Sequence, residues 1–261
     1  MILNSDNYYV AKIFATQCIA DIRINDVPII RQILDCDLTC ELPVNYLIEK
    51  SGLQKFSVEV KPLPGQIKLE EVAKCEVEIW RYDDSGNELM PIESVCKSVL
   101  EAKDRVIPID VLYDRKEFLA HVSYEISRWG DCIRLDNVRT IGRQIAYIFQ
   151  RIGNELSAKN YDYYLDLVRN RDVNICKSLL LGEEEIEKRS ESLIELLNDG
   201  FELVPMKGGK VLQYFADNRG VTVLDHDLKP ALRFANEESG EMIGIELILG
   251  IKKGKTEFEV I

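Results

Sequence analysis

The chain has 261 residues, 46% of them apolar and 30% charged, and a formal net charge of −12. Its length allows one large or two ordinary domains, and its composition supports a buried core rather than disorder. The acidity disfavours nucleic-acid backbones and anionic lipid as partners, since both demand surplus Lys and Arg, and it suits the steering of a basic protein partner.

The first ten residues, Met1 to Val10, contain no basic start, no long apolar core and no small-residue cleavage site, so a secretory signal is not expected. No apolar run approaches the roughly 18 residues of a membrane span; the stretch Ile243 to Ile251 is interrupted by Gly244, Glu246 and Gly250. Cys18, Cys36, Cys40, Cys75, Cys96, Cys132 and Cys176 are odd in number and scattered, which reads as reduced, mostly buried thiols and a cytoplasmic location. Charge is spread along the chain: 16 basic against 24 acidic residues up to Asp136, then 17 against 21.

The front half reads as strands. Tyr8 to Gln17 and Cys18 to Ile24 are rich in β-branched and aromatic residues, and Asn25-Asp26 is a turn before Val27 to Ile33. Asp37 to Leu42, Gln54 to Val60 and Lys74 to Tyr82 follow, with Lys61-Pro62-Leu63-Pro64-Gly65 and Asp83 to Asn87 as turns. A long period-2 stripe, Phe118, Ala120, Val122, Tyr124 and Ile126, predicts one more strand. Short strands with regular turn signals predict an antiparallel β-sandwich.

The apolar period changes after Asp136. Val138, Ile141, Ile145, Ile148, Ile152 and Leu156, with Phe149, follow i, i+3, i+4 spacing and predict an amphipathic helix. A second helix opens at Asn160-Tyr161-Asp162 and runs towards Leu180, with a break expected near Asp172. Gly182 precedes a third, with Glu183, Glu184 and Glu185 in its first turn, Ile186, Leu193, Ile194 and Leu197 on its apolar face and Gly200 at its end. Strands resume at Phe201–Met206, Val211–Phe215, Val221–Leu224, Ala231–Ala235, Met242–Ile251 and Thr256–Val260, with a turn at Gly208-Gly209 and another at Lys252 to Lys255. The expected fold class is α+β: a sandwich domain over residues 1–136, then over 137–261 three helices packed on a curved antiparallel sheet.

That second half resembles the nuclear-transport-factor-2-like superfamily of cone-shaped α+β barrels. The resemblance rests on element order: the helix from Val138 to Leu156, the helix start Tyr161-Asp162-Tyr163-Tyr164, and Gly200-Phe201-Glu202-Leu203 leading into the strands. It departs from that pattern in having no clear strand between the second and third helices. The superfamily includes isomerases and dehydratases as well as non-catalytic binding and assembly domains, and no functional residue is carried over from it.

No catalytic, cofactor-binding or metal-ligating residue is assigned. His121 and His226 are the two histidines, and the chain contains no C-x-x-C and no H-x-x-x-H. Cys36 and Cys40 are expected on one strand face, as core thiols rather than chelators. Asp225-His226-Asp227 is the densest titratable cluster. Strand neighbours would point to opposite faces, which disfavours a carboxylate–imidazole base, and Lys229-Pro230 marks a loop, so the cluster reads as a solvated turn. On a strand, His121 and Glu125 would stand ~13 Å apart, too far for a dyad. Asp83-Asp84-Ser85-Gly86-Asn87-Glu88 lacks the order of a calcium loop, and Asp35-Cys36-Asp37 is a chance-level D-x-D. No phosphate-cradling glycine loop or nucleophile elbow occurs. Tyr147, Tyr161, Tyr163 and Tyr164 could line a cavity at the mouth of the helix-capped sheet.

The first expectation is a non-catalytic cytoplasmic interaction protein, of immunity or secretion-accessory type, that binds a basic protein without a cofactor. The alternative is a small-molecule receptor or enzyme using the second domain's cavity. A third reading has the β half bind carbohydrate through Trp80 or Trp129.

Overall fold

The computed structural model describes residues 7–83, 89–103, 110–136, 138–206, 210–225 and 228–261. Three α-helices and four antiparallel sheets are found among them, so the fold is mixed α+β. The chain divides into two units, Met1–Ile126 and Ser127–Ile261.

The first unit is built from β1 (Asn7–Thr16), β2 (Cys18–Ile24), β3 (Val27–Leu34), β4 (Leu38–Pro43), β5 (Gly52–Lys61), β6 (Lys74–Asp83), β7 (Met90–Glu101) and β8 (Leu112–Ala120). They form two four-stranded sheets, ordered β4-β1-β6-β7 and β3-β2-β5-β8. The strands β1, β5 and β6 each bury one face with period 2: Tyr9, Ala11, Ile13 and Ala15 on β1, Phe56, Val58 and Val60 on β5, Cys75, Val77 and Ile79 on β6. Asn25 and Asp26 both take positive φ, 53° and 62°, the mirror-image turn whose twist matches a two-residue hairpin.

The stripe from Phe118 to Ile126 is not a single strand, because β8 ends at Ala120. Tyr124 and Ile126 are nonetheless buried and His121, Ser123 and Glu125 exposed. Other bonds tie this segment down. The Val122 N–H donates to Ser51 Oγ at 2.9 Å, the Tyr124 hydroxyl to the Asn45 carbonyl at 2.8 Å, and the Ile126 N–H to the Glu49 carbonyl at 2.9 Å. Alternation reports which way side chains face, and it persists here outside any ladder. Cys36 likewise falls in the bend before β4, so Cys36 and Cys40 do not share a strand face.

The division between units falls at Ile126/Ser127 rather than after Asp136. Residues before the first helix already bond into the second unit: the Ile133 N–H to Ile251 O at 2.9 Å, Leu135 N–H to Asn218 O at 2.7 Å, and Arg128 Nη2 to Ile261 O at 3.1 Å. The switch in apolar period marks where helix begins, not where contacts change.

Three helices follow, α1 (Ile141–Ser157), α2 (Tyr161–Ser178) and α3 (Glu184–Asn198). Helix α2 continues through Asp172, whose buried carboxylate meets Arg171 at 2.9 Å and Arg189 of α3 at 3.8 Å. Pairing removes the reason to expect a break there. Gly200 ends the third helical segment at φ +78°, a left-handed position suited to glycine.

The strands are β9 (Glu202–Leu203), β10 (Val211–Phe215), β11 (Gly220–Leu224), β12 (Leu232–Ala235), β13 (Met242–Ile245), β14 (Leu249–Gly250) and β15 (Glu259–Val260). The stretch expected as one strand over Met242–Ile251 is thus two, and Thr256–Val260 shortens to β15. They hydrogen-bond as two groups, β10-β11-β14-β15 and β13-β12-β9. Between the groups the described ladder is the single bridge Leu224–Pro230, held by the Ala231 N–H to Val223 O at 3.0 Å and the Asp225 N–H to Lys229 O at 2.8 Å. Pro230 sits in the non-hydrogen-bonded pair, where no N–H is required of it. Helix α1 lies on β9 and β11, α2 on β15, and α3 on α2. Ile145, Phe149, Ile152, Leu156, Tyr164, Val168, Leu197, Val221, Leu232, Phe234, Leu247 and Leu249 share one buried core. No helix is long and apolar enough to cross a membrane among the described residues.

Candidate functional site

Helix α1 has a second stripe beside its core-facing one. Gly142, Ala146, Gln150 and Asn154 recur at i+4 spacing and therefore line up along the helix. With Phe149 they form one wall of a half-open cleft of about 700 Å³. Leu203 of β9, Pro205, Met206, Lys210, Leu212 of β10 and Val223 of β11 form the rest.

The space stays open for two reasons. Gly142 and Ala146 are too small to fill it; a Cβ at Gly142 would only reach ordinary contact with Leu212, at 3.8 Å. In addition, β9 and β10 are each the outer strand of their group, and among the described residues no ladder closes the gap between them. The cleft lies within the 300–1,000 Å³ typical of small-molecule sites and, like them, is mostly apolar with a few polar groups.

Lys210 is the charged residue on the cleft wall among the described residues. It precedes β10 and stands across from the end of β11, since Val211 pairs with Leu224. Its ammonium meets Asp225 Oδ2 at 2.8 Å, and Arg233 from β12 bonds to the same oxygen. Asp225 belongs to the cluster that reads in sequence as a solvated turn. It is instead a half-buried acceptor joining three strands, while His226 and Asp227 lie outside the described residues.

The four tyrosines expected around a cavity are placed elsewhere. Tyr147 is 65% exposed. The Tyr161 hydroxyl donates to Asn198 Oδ1 at 2.8 Å, and Arg151 lies over the Tyr163 ring at 4.2 Å. Tyr164 is in the core, where burial raises its phenol above the ordinary value although Arg171 pulls the other way. Trp129 is buried under the Arg128 guanidinium, 4.5 Å from its ring, and Lys12 covers half-buried Trp80 at 5.2 Å. Burial withdraws Trp129 from a sugar, while Trp80 stays half-buried. The backbone of His121 is bonded to Tyr9 and Asn7, and its side chain is exposed. Of the Asp83–Glu88 loop, only Asp83 is among the described residues, as is no part of Gly208-Gly209.

A second, shallower hollow of about 410 Å³ lies in the first unit between Asp21, Arg23, Asp26, Ser57, Glu59, Tyr113 and Arg115. Three of its charges are matched to one another: Arg23 forks onto both Asp21 oxygens at 2.7 and 2.8 Å and reaches Asp26 at 2.9 Å.

The cleft residues escape sequence reading because attention goes to the apolar stripe. The available signal was the run of small and amide residues one step around α1. Nothing local marks Lys210, whose partner is fifteen residues away. Comparison with protein-family models, curated proteins and solved structures finds no match to this chain.

Proposed function

We propose that this chain is a non-catalytic binding protein whose second unit takes an apolar ligand into the cleft between α1 and the outer strands β9 and β10. The observation that carries this reading is a half-open, largely apolar space of about 700 Å³ whose described walls hold one ionisable group, Lys210. General acid–base or nucleophilic chemistry needs at least a pair of reactive groups in mutual reach; an apolar wall with two carboxamides and one ammonium instead suits capture and orientation. In this reading the two sheets of the first unit form a sandwich, the second unit is a nuclear-transport-factor-2-like cone, and the protein works in the cytoplasm.

The test is titration with the neutral fluorophore N-phenyl-1-naphthylamine, which brightens in apolar surroundings. One saturable site per chain is expected, and Ala146→Trp, which fills the cleft from an exposed helix position, should abolish it while leaving the circular dichroism and melting temperature unchanged. Absence of saturable binding, or binding indifferent to Ala146→Trp, refutes the proposal.

A basic protein partner is the second reading, and α3 favours it. Glu184, Glu187, Glu191 and Glu195 are exposed along that helix, and Leu181 and Leu196 are exposed at its ends. An acidic face with apolar contacts is what a basic amphipathic surface of an immunity-type or secretion-accessory partner would meet. Pull-down from native lysate with a tagged chain tests it: recovery of a stoichiometric basic protein, lost when the four glutamates become Gln, is the expected result.

A further inference from the structure

We infer that the α1 cleft selects amphiphiles with an anionic head, a long-chain carboxylate being the simplest, and that Lys210 is the residue that selects them. The inference rests on the cleft being the binding site and adds the chemistry of its occupant.

Three observations carry it. The walls are dominated by apolar side chains, Phe149, Leu203, Pro205, Met206, Leu212 and Val223, which suit an alkyl chain. The single charge described on them is a cation, in a protein whose net charge is −12. Finally, among the described residues the Lys210 ammonium spends one hydrogen bond, on Asp225. An ammonium has three donors, so two remain for a ligand. Asp225 also receives Arg233, so its charge is divided between two cations and does not belong to Lys210 alone. Asp225 therefore acts as a positioning residue that holds the ammonium on the cleft wall, and a carboxylate head meeting it gains charge-assisted hydrogen bonds in an apolar setting.

The global field sharpens the contrast. At −12 the protein attracts cations and repels anions at long range. A preference for an anionic amphiphile over its cationic counterpart must then come from a local group, and fades as that group is removed.

The experiment displaces N-phenyl-1-naphthylamine from the intact chain with dodecanoate, dodecan-1-ol and dodecylammonium, all below their aggregation thresholds. Dodecanoate is expected to compete about tenfold better than the alcohol, the worth of one charge-assisted bond, and dodecylammonium worst of the three. Lys210→Gln should erase the advantage of dodecanoate over the alcohol, each compared against the fluorophore affinity measured for that variant, and Lys210→Arg should keep it. If the fluorophore binds but the three amphiphiles compete equally, or Lys210→Gln retains the preference, this inference is overturned and the cleft reading survives. If the fluorophore does not bind at all, the cleft reading falls and takes the inference with it.

Discussion

The side-chain carbonyl of Asn45 accepts the backbone N–H of Tyr9 at 2.6 Å, and no solvent reaches either residue. Asn45 Nδ2 also donates to the Asn7 carbonyl at 3.2 Å, and the Val44 N–H bonds back to Tyr9 O at 2.9 Å. One asparagine in the turn after β4 thus completes the hydrogen bonding of β1 where its partner strand has ended. Asn45→Leu leaves the Tyr9 N–H buried and unmatched, so it should cost about 2–3 kcal/mol. Urea unfolding at pH 7 measures this; Tyr124→Phe, which deletes only the hydroxyl bond to Asn45 O, should cost about 1 kcal/mol.

Gly250 in β14 should be close to irreplaceable. A Cβ there would stand 2.8 Å from Ile261 Cδ1, 2.9 Å from Cys132 Sγ and 3.1 Å from the Arg219 carbonyl. Buried Ile261 and Cys132 have little room to give, and a backbone carbonyl has less. Gly250→Ala is expected to destabilise by about 1–3 kcal/mol, and a Cys132→Ala background should recover part of the loss. Thermal melts of the three variants decide the matter; an unchanged melting temperature in Gly250→Ala would contradict the packing described.

Alkaline conditions should weaken the first unit before they unfold it. Burial pushes the Cys75 thiol up to about 12 and the Cys18 thiol up to about 11, and burial also raises the Tyr9 phenol. In the unfolded chain a thiol ionises near pH 8.5. Above that value the unfolded state releases protons that the folded state retains, so stability is full below pH 8.5 and is lost as pH climbs through 11 and 12. The urea midpoint at pH 10.5 should lie below that at pH 8, and a Cys18→Ala/Cys75→Ala double variant, weaker at pH 7, should show a shallower decline.

Thiol labelling should separate the seven cysteines by position. Cys36 is exposed, Cys40 half-buried with its thiol raised by burial, and Cys18, Cys75, Cys96, Cys132 and Cys176 are buried. Brief treatment of the native chain with iodoacetamide should modify Cys36 first and Cys40 slowly, because the thiolate is the nucleophile. Peptide mass spectrometry gives the order; early labelling of Cys75 would contradict its burial.

The residues differ in how much of this they disclose locally. Asn25-Asp26, the β1 alternation and the apolar i, i+3, i+4 stripe of α1 were legible because each element's period is imposed by its own backbone. The ends were not. The segment from His121 to Ile126 alternates like a strand while bonding to Ser51, Asn45 and Glu49. The tyrosines misled for a related reason. An aromatic run looks like a pocket, yet Asn198 of α3 and Arg151 of α1 engage Tyr161 and Tyr163.

Sequence alone determined that strands precede helices and strands follow them, that the chain is acidic, and that its thiols are too scattered to read as a framework. Those properties follow from period, charge and count, which need no partner. Tertiary structure decided that small residues on α1 face the outer strands across an open space, and that Lys210, Asp225 and Arg233 meet beside it. A void and a shared carboxylate exist only once distant segments are packed, so no local pattern could announce them.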